Sequence, residues 1–167
     1  EQQDEDEAYS ARKLDTEIVN PSQIRTVIQT FRKKLPEIFP DRADADGEFQ
    51  VPKTLIFAKT DSHADDIIQI VREEFDEGNR FCKKVTFKSD QDRTDADGTV
   101  IEPGEDPKTI LADFRNAYYP RIAVTVDMIA TGTDVKPLEC LLFMRDVKSK
   151  GYFEQMKGRG TRTLDHD

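Results

Sequence analysis

Near the carboxyl end of this 167-residue chain, two arginines stand three residues apart, in the octapeptide Gln155-Met156-Lys157-Gly158-Arg159-Gly160-Thr161-Arg162. A guanidinium stays charged and donates several N–H bonds in a plane, so Arg159 and Arg162 suit a site where charge develops on a triphosphate during transfer. Gly158 lets the backbone come close to such a ligand, and Gln155 stands three residues before it. Upstream, Thr125-Val-Asp-Met-Ile-Ala-Thr131-Gly132-Thr-Asp134 supplies a second set. Gly132 permits close approach, and Asp134 can bind a ribose hydroxyl or a phosphate-bound water. Lys59 and Thr60 follow another apolar run. Each group has an ordinary alternative: a solvated basic helix end, a plain strand-to-helix turn, a surface lysine. The pairing of the octapeptide with the Gly/Thr/Asp turn is what makes the chemistry specific.

Elements must hold these residues. Asn20-Pro21-Ser22-Gln23 reads as a helix start, with a capping side chain, proline at the first helical position and Gln at the third. Ile24, Val27, Ile28, Phe31 and Leu35 recur at helical spacing, and Pro36 and Pro40 should end that helix. Thr54–Ala58 suits a buried strand. Asp61 or Ser62 should cap a second helix, with Ala64, Ile67, Ile68, Val71 and Phe75 as its apolar stripe. Val85–Phe87 reads as a second strand, Pro107 opens a helix carrying Ile110, Leu111 and Phe114, and Ile122–Val126 and Cys140–Phe143 are further apolar strands. Ser149 could cap a helix presenting Gln155.

Nearly continuous apolar strands between amphipathic helices imply an α/β fold, with a mostly parallel sheet covered on both faces. Ligands bind beyond the carboxyl ends of such strands. Thr60, the turn from Thr125 to Asp134 and the approach to Gln155 should lie there. His63 reads as a surface residue at a helix start. Arg115, Arg121 and Arg145 could touch nucleic acid or simply sit on the surface, and Phe114 and Phe143 belong in the core.

The length suits one domain, expected over 20–167 behind an acidic, flexible lead-in at 1–19. Residues 41–50 and 88–106 are rich in Asp, Gly and Pro and read as surface-loop insertions. Both contain Arg-x-Asp-Ala-Asp-Gly, at Arg42–Gly47 and Arg93–Gly98. A calcium loop is not expected, because Arg holds the first ligand position and Lys53 or Gly104 the twelfth. No run approaches the roughly 18 apolar residues of a membrane span, and no signal peptide opens the chain. Cys82 and Cys140 read as reduced cytosolic thiols. Net charge is −9, but from Pro107 to Leu164 ten Lys/Arg face six Asp/Glu. Local field matters more than the total for meeting a phosphate backbone.

The Thr125–Asp134 and Gln155–Arg162 segments resemble motifs V and VI of superfamily 2 helicases and translocases. The run from Val135 to Lys150, with Ile122–Val126, Thr54–Ala58, Lys59–Ala64 and Asn20–Arg25, resembles the R subunit of type I restriction enzymes. That likeness covers roughly residues 9 to 164 and is weakest at 88–106. It implies the second RecA-like, P-loop NTPase-type motor lobe of an ATP-dependent translocase of double-stranded DNA. By resemblance, Gln155, Arg159 and Arg162 serve catalysis at ATP, and Gly132, Asp134 and Gly158 face the nucleotide. Lys59 and Thr60 (motif IV) and Thr125 and Thr131 (motif V) meet the DNA backbone. ATP and Mg2+ would be held mainly by a first lobe, and no metal ligand is assigned in this chain. The sequence has neither Gly-x-x-x-x-Gly-Lys-[Ser/Thr] nor Asp-Glu-x-His, nor a nuclease motif. Alone it is expected to be inactive and monomeric. The implied partners are duplex DNA, the first lobe of the same parent chain, and methylation and specificity subunits, in a bacterial or archaeal cytoplasm. Two rivals stand beside this reading: a lobe of another superfamily 2 helicase or type III-like motor, and a non-catalytic interaction module. Intact Gln155, Gly158, Arg159 and Arg162 weigh against the module.

Overall fold

The computed structural model describes residues 19–126, 138–145 and the backbone of 162–164. Helix α1 (Pro21–Ile38) starts as its sequence requires, with the Asn20 side chain accepting from the Ser22 N–H at 2.9 Å and Pro21 in the first turn. Its buried face is Ile24, Val27, Ile28, Phe31 and Leu35. Pro36 does not end it. The helix runs on to Ile38, and the Phe39 N–H donates to the Leu35 carbonyl. A proline in the last turn forfeits a single ladder bond, and burial of Leu35 and Phe39 on either side of it holds that turn in place.

Strand β1 (Thr54–Phe57) leads into α2 (Asp61–Glu74), and β2 (Cys82–Lys84) into a hairpin of β3 (Arg93–Thr94) and β4 (Val100–Glu102). Helix α3 (Pro107–Asn116) then precedes β5 (Ile122–Thr125), β6 (Cys140–Phe143) and β7 (Arg162–Leu164). The main sheet has the order β2-β5-β1-β6-β7, and every pair in it is parallel.

Alternation along the strands builds two cores. Ile56, Val124 and Leu142 point to one face, where α1 and α2 pack; Leu55, Phe57, Ala123 and Leu141 point to the other, with Ile110 and Phe114 of α3. Burying each such side chain is worth about 1.5–3 kcal/mol. The expected three-layer α/β architecture is therefore present.

The second strand differs from the sequence reading. Strand β2 is Cys82–Lys84 rather than Val85–Phe87, and two lysines occupy it. They are tolerated on an edge strand because each has a carboxylate: Lys83 pairs with Glu105, and Lys84 with Asp61 and Asp65 at 2.9 and 2.8 Å. Val85 only extends the ladder, its N–H donating to the Val124 carbonyl.

The 88–106 insertion is more than a surface loop. Arg72 of α2, nearly buried, donates to Glu102 at 2.8 Å, and Arg93 reaches the same carboxylate at 2.9 Å. Burial works against the Glu102 charge, but Arg72 above all holds its pKa below the usual carboxylate range. Both copies of Arg-x-Asp-Ala-Asp-Gly form one turn. Asp44 Oδ1 accepts from the Asp46 and Glu48 N–H groups, Asp95 Oδ1 from those of Asp97 and Thr99. Gly47 and Gly98 each take φ +83°, where a side chain would be strained. Among the described residues, no helix is long and apolar enough to cross a membrane.

Candidate functional site

Because the sheet is parallel, its strands end on one edge. Phe57 is level with Thr125 and Phe143, and Lys84 with Val124. Lys59 and Thr60 leave that edge from the central strand, both exposed. Thr60, rather than Asp61 or Ser62, is the cap of α2: its Oγ1 accepts from the His63 N–H at 3.1 Å. A hydroxyl that accepts still has its own proton to donate, so the cap leaves Thr60 able to meet an anion. The positive end of the helix dipole faces the same way.

His63 is not on the surface. It is 2% exposed, and its Nδ1 accepts from the Lys59 backbone N–H at 2.9 Å. The imidazole thus fixes the Lys59–Thr60 turn from beneath, a role that a single histidine in a polar stretch does not advertise. Asp61 completes the turn. Burial disfavours its charge, but hydrogen bonds from Thr86 and Lys84 outweigh that and lower its pKa. Lys84, disfavoured by the same burial, has its pKa raised by Asp65 and Asp61. Beside this cluster opens a polar cavity of about 410 Å3, whose walls include Asp61, Ser62, Lys84, Lys88 and Arg93.

Thr125 ends β5 fully buried, and its carbonyl accepts from the Ala58 N–H at 2.8 Å. Of the residues the sequence assigned to DNA, the described surface therefore presents Lys59 and Thr60, with Thr125 underneath. Arg162 opens β7 with its backbone level with Cys140, at the amino end of β6. Its backbone is thus roughly 10 Å along the strands from the edge carrying Lys59. Thr131, Gly132, Asp134, Gln155, Gly158 and Arg159 lie outside the described residues, as does the Ser149 helix start.

The sequence reading missed the cations of the opposite edge. Arg121 is buried rather than exposed to nucleic acid, its Nε donating to the Val51 carbonyl and a terminal nitrogen to that of Tyr118, both at 2.9 Å. Burial lowers its pKa. Lys53, 4% exposed, donates to the Ala117 and Pro120 carbonyls at 2.7 and 2.6 Å. Burial, then the Arg121 charge, brings its pKa to about 8. The only sequence signal was position: both stand immediately before a strand. Arg145 reaches back to the Val126 carbonyl at 3.4 Å, a long bond.

The endonuclease subunit of the EcoKI type I restriction enzyme from Escherichia coli strain K12 is 30% identical to the chain over 142 residues, 81% of this chain. The chain spans 11% of the length of that relative. A fragment structure of an HsdR subunit of a type I restriction enzyme from Vibrio vulnificus YJ016 superposes with a TM-score of 0.55 at 24% identity, covering 90% of this chain and 26% of that one. Domain 2 of the DEAD-box helicase Mss116p, bound to an RNA duplex, gives a TM-score of 0.55 at 17% identity, covering 89% of this chain and 50% of that one. No protein-family model matches. The sequence kinship and the parallel sheet with helices on both faces agree: the chain is related to a stretch of type I restriction enzyme endonuclease subunits and has the RecA-like helicase fold.

Proposed function

We propose that the chain is the second motor lobe of an ATP-dependent double-stranded DNA translocase, within the R subunit of a type I restriction endonuclease. The observation that supports this most is a conjunction. A chain related to such an endonuclease subunit has a helicase fold, and its sequence carries Gln155, Gly158, Arg159 and Arg162 downstream of Gly132 and Asp134. Guanidinium pairs and glycine turns fit a triphosphate by the chemistry of their donors. ATP with Mg2+ would supply the phosphoryl group and its charge neutralisation, both held mainly by a first lobe. Arg159 and Arg162 would donate to phosphate oxygens across the cleft, with Gln155 orienting beside them. Gly132, Asp134 and Gly158 would shape the nucleotide-facing turns.

On the same lobe, at the carboxyl edge of its sheet, Lys59 and Thr60 would hold DNA phosphates. Thr125, buried at the end of β5, would anchor that edge from below, and Thr131 would meet a DNA phosphate. Duplex DNA, the first lobe and the methylation and specificity subunits are the partners of this reading. Since the phosphate-binding first-lobe motifs are absent from the sequence, the isolated chain should not turn ATP over. The test uses the intact subunit with its partners. Arg162→Ala should cut DNA-stimulated ATPase by about 10³–10⁵, the typical contribution of such an arginine. An unchanged rate in a folded variant would sink the catalytic role and favour a non-catalytic interaction module.

A further inference from the structure

Phe87 is 80% exposed, the most exposed large apolar side chain among the described residues. It stands in the turn that leaves β2, the outermost strand on that side of the sheet, at the carboxyl edge. Lone exposed apolar side chains are common on proteins, but this one is held outward by a built turn. The Thr86 N–H donates to Ser89 Oγ at 2.8 Å, and Ser89 Oγ donates to the Lys84 carbonyl at 2.7 Å. The Lys88 N–H donates to Thr86 Oγ1 at 3.2 Å, and that hydroxyl donates to Asp61 Oδ1 at 2.6 Å. Asp61 adjoins Thr60, so the last bond ties the Phe87 turn to the Lys59–Thr60 turn. Lys88 lies with its ammonium 5.8 Å from the Phe87 ring centroid.

The geometry points to a second contact with duplex DNA, formed by Phe87 and Lys88. This inference rests on the reading of Lys59 and Thr60 as phosphate ligands and extends their surface outward to β2. A phenyl ring covers the apolar face of a deoxyribose, and an ammonium beside it meets the adjoining phosphate. Alternating sugar and phosphate offer that pairing of chemistries in sequence-independent form. Of the acids that line the cavity beside Lys88, Asp61 and Asp65 are paired with Lys84 and Asp92 accepts from the Gly104 N–H, so Asp66 is the one that most opposes a phosphate here. Holding the ring rigidly outward also lowers the ordering cost of each new grip on a moving duplex.

The test measures binding of a labelled duplex oligonucleotide to the intact subunit by fluorescence anisotropy, across a salt series. Phe87→Ser should raise Kd about tenfold, and Phe87→Tyr should restore it. Lys88→Ala should weaken binding and reduce the salt slope by about one ion. Because Phe87 contributes little to the core, all three variants should fold, which their thermal transitions will verify. Duplex affinity unchanged by both Phe87→Ser and Lys88→Ala would overturn the contact. So would a loss confined to single-stranded oligonucleotide. A wild type that binds duplex through this pair but never moves along it would keep the contact and sink the translocase reading instead.

Discussion

The two ends of one parallel sheet treat their cations in opposite ways. At the amino edge, Lys53 and Arg121 are buried and spend their N–H groups on the backbone carbonyls of Val51, Ala117, Tyr118 and Pro120. At the carboxyl edge, Lys59 is exposed at a turn that a buried histidine and a threonine cap hold rigid. The same residue types close one end of the fold and leave the other open. Net basic charge is therefore a poor guide to a nucleic-acid face; what separates the two ends is burial, since Lys53 and Arg121 lie inside the fold and Lys59 lies on its surface.

That contrast can be broken by substitution. The largest expected effect is at Arg121. Replacing it by Ala leaves the Val51 and Tyr118 carbonyls without their partner and should cost about 3 kcal/mol of stability in denaturant unfolding. DNA binding by the fraction that remains folded should be unchanged.

Next comes Lys53, whose folded-state pKa of about 8 lies below its ordinary 10.5. The folded state then binds fewer protons than the unfolded state between those values. Stability relative to Lys53→Met should therefore rise as pH climbs from 8 toward 10, by on the order of 2 kcal/mol. A neutral amine keeps the two N–H groups that the Ala117 and Pro120 bonds need. A flat difference across that window would mean that the ammonium is stabilised as fully inside as in water.

The smallest effect on stability belongs to Lys59. Lys59→Ala should change unfolding by no more than about 0.5 kcal/mol, yet reduce the salt dependence of duplex binding by about one ion. A large stability loss at Lys59, or a binding defect at Arg121, would erase the distinction between the two ends.

The sequence carried the parts of the fold that depend on local chemistry. Asn20 and Pro21 open α1, Pro107 opens α3, and the runs at Thr54, Ile122 and Cys140 are the strands of the sheet interior. Errors arose where tertiary partners reversed a local preference. Lys83 and Lys84 form a strand because Glu105, Asp61 and Asp65 lie opposite them, while the chain leaves the sheet after Val85 and exposes Phe87. His63 is buried because the Lys59 N–H needs an acceptor there. Glu102 made a loop into a docked hairpin through Arg72, thirty residues before it. Of the site, the spacing exposed Lys59 and Thr60, but not that Thr60 would double as a helix cap. Nor did it show that Arg162 would open a strand level with Cys140.

The central claim is that this lobe moves duplex DNA without separating its strands. The direct measurement is displacement of a third strand from a triplex on long duplex DNA, by the intact subunit with its partner subunits and ATP, with unwinding followed on the same substrate. Displacement that requires ATP, with the duplex strands still paired, is the predicted result. Strand separation in its place, or no displacement by a folded and assembled complex, would contradict the account.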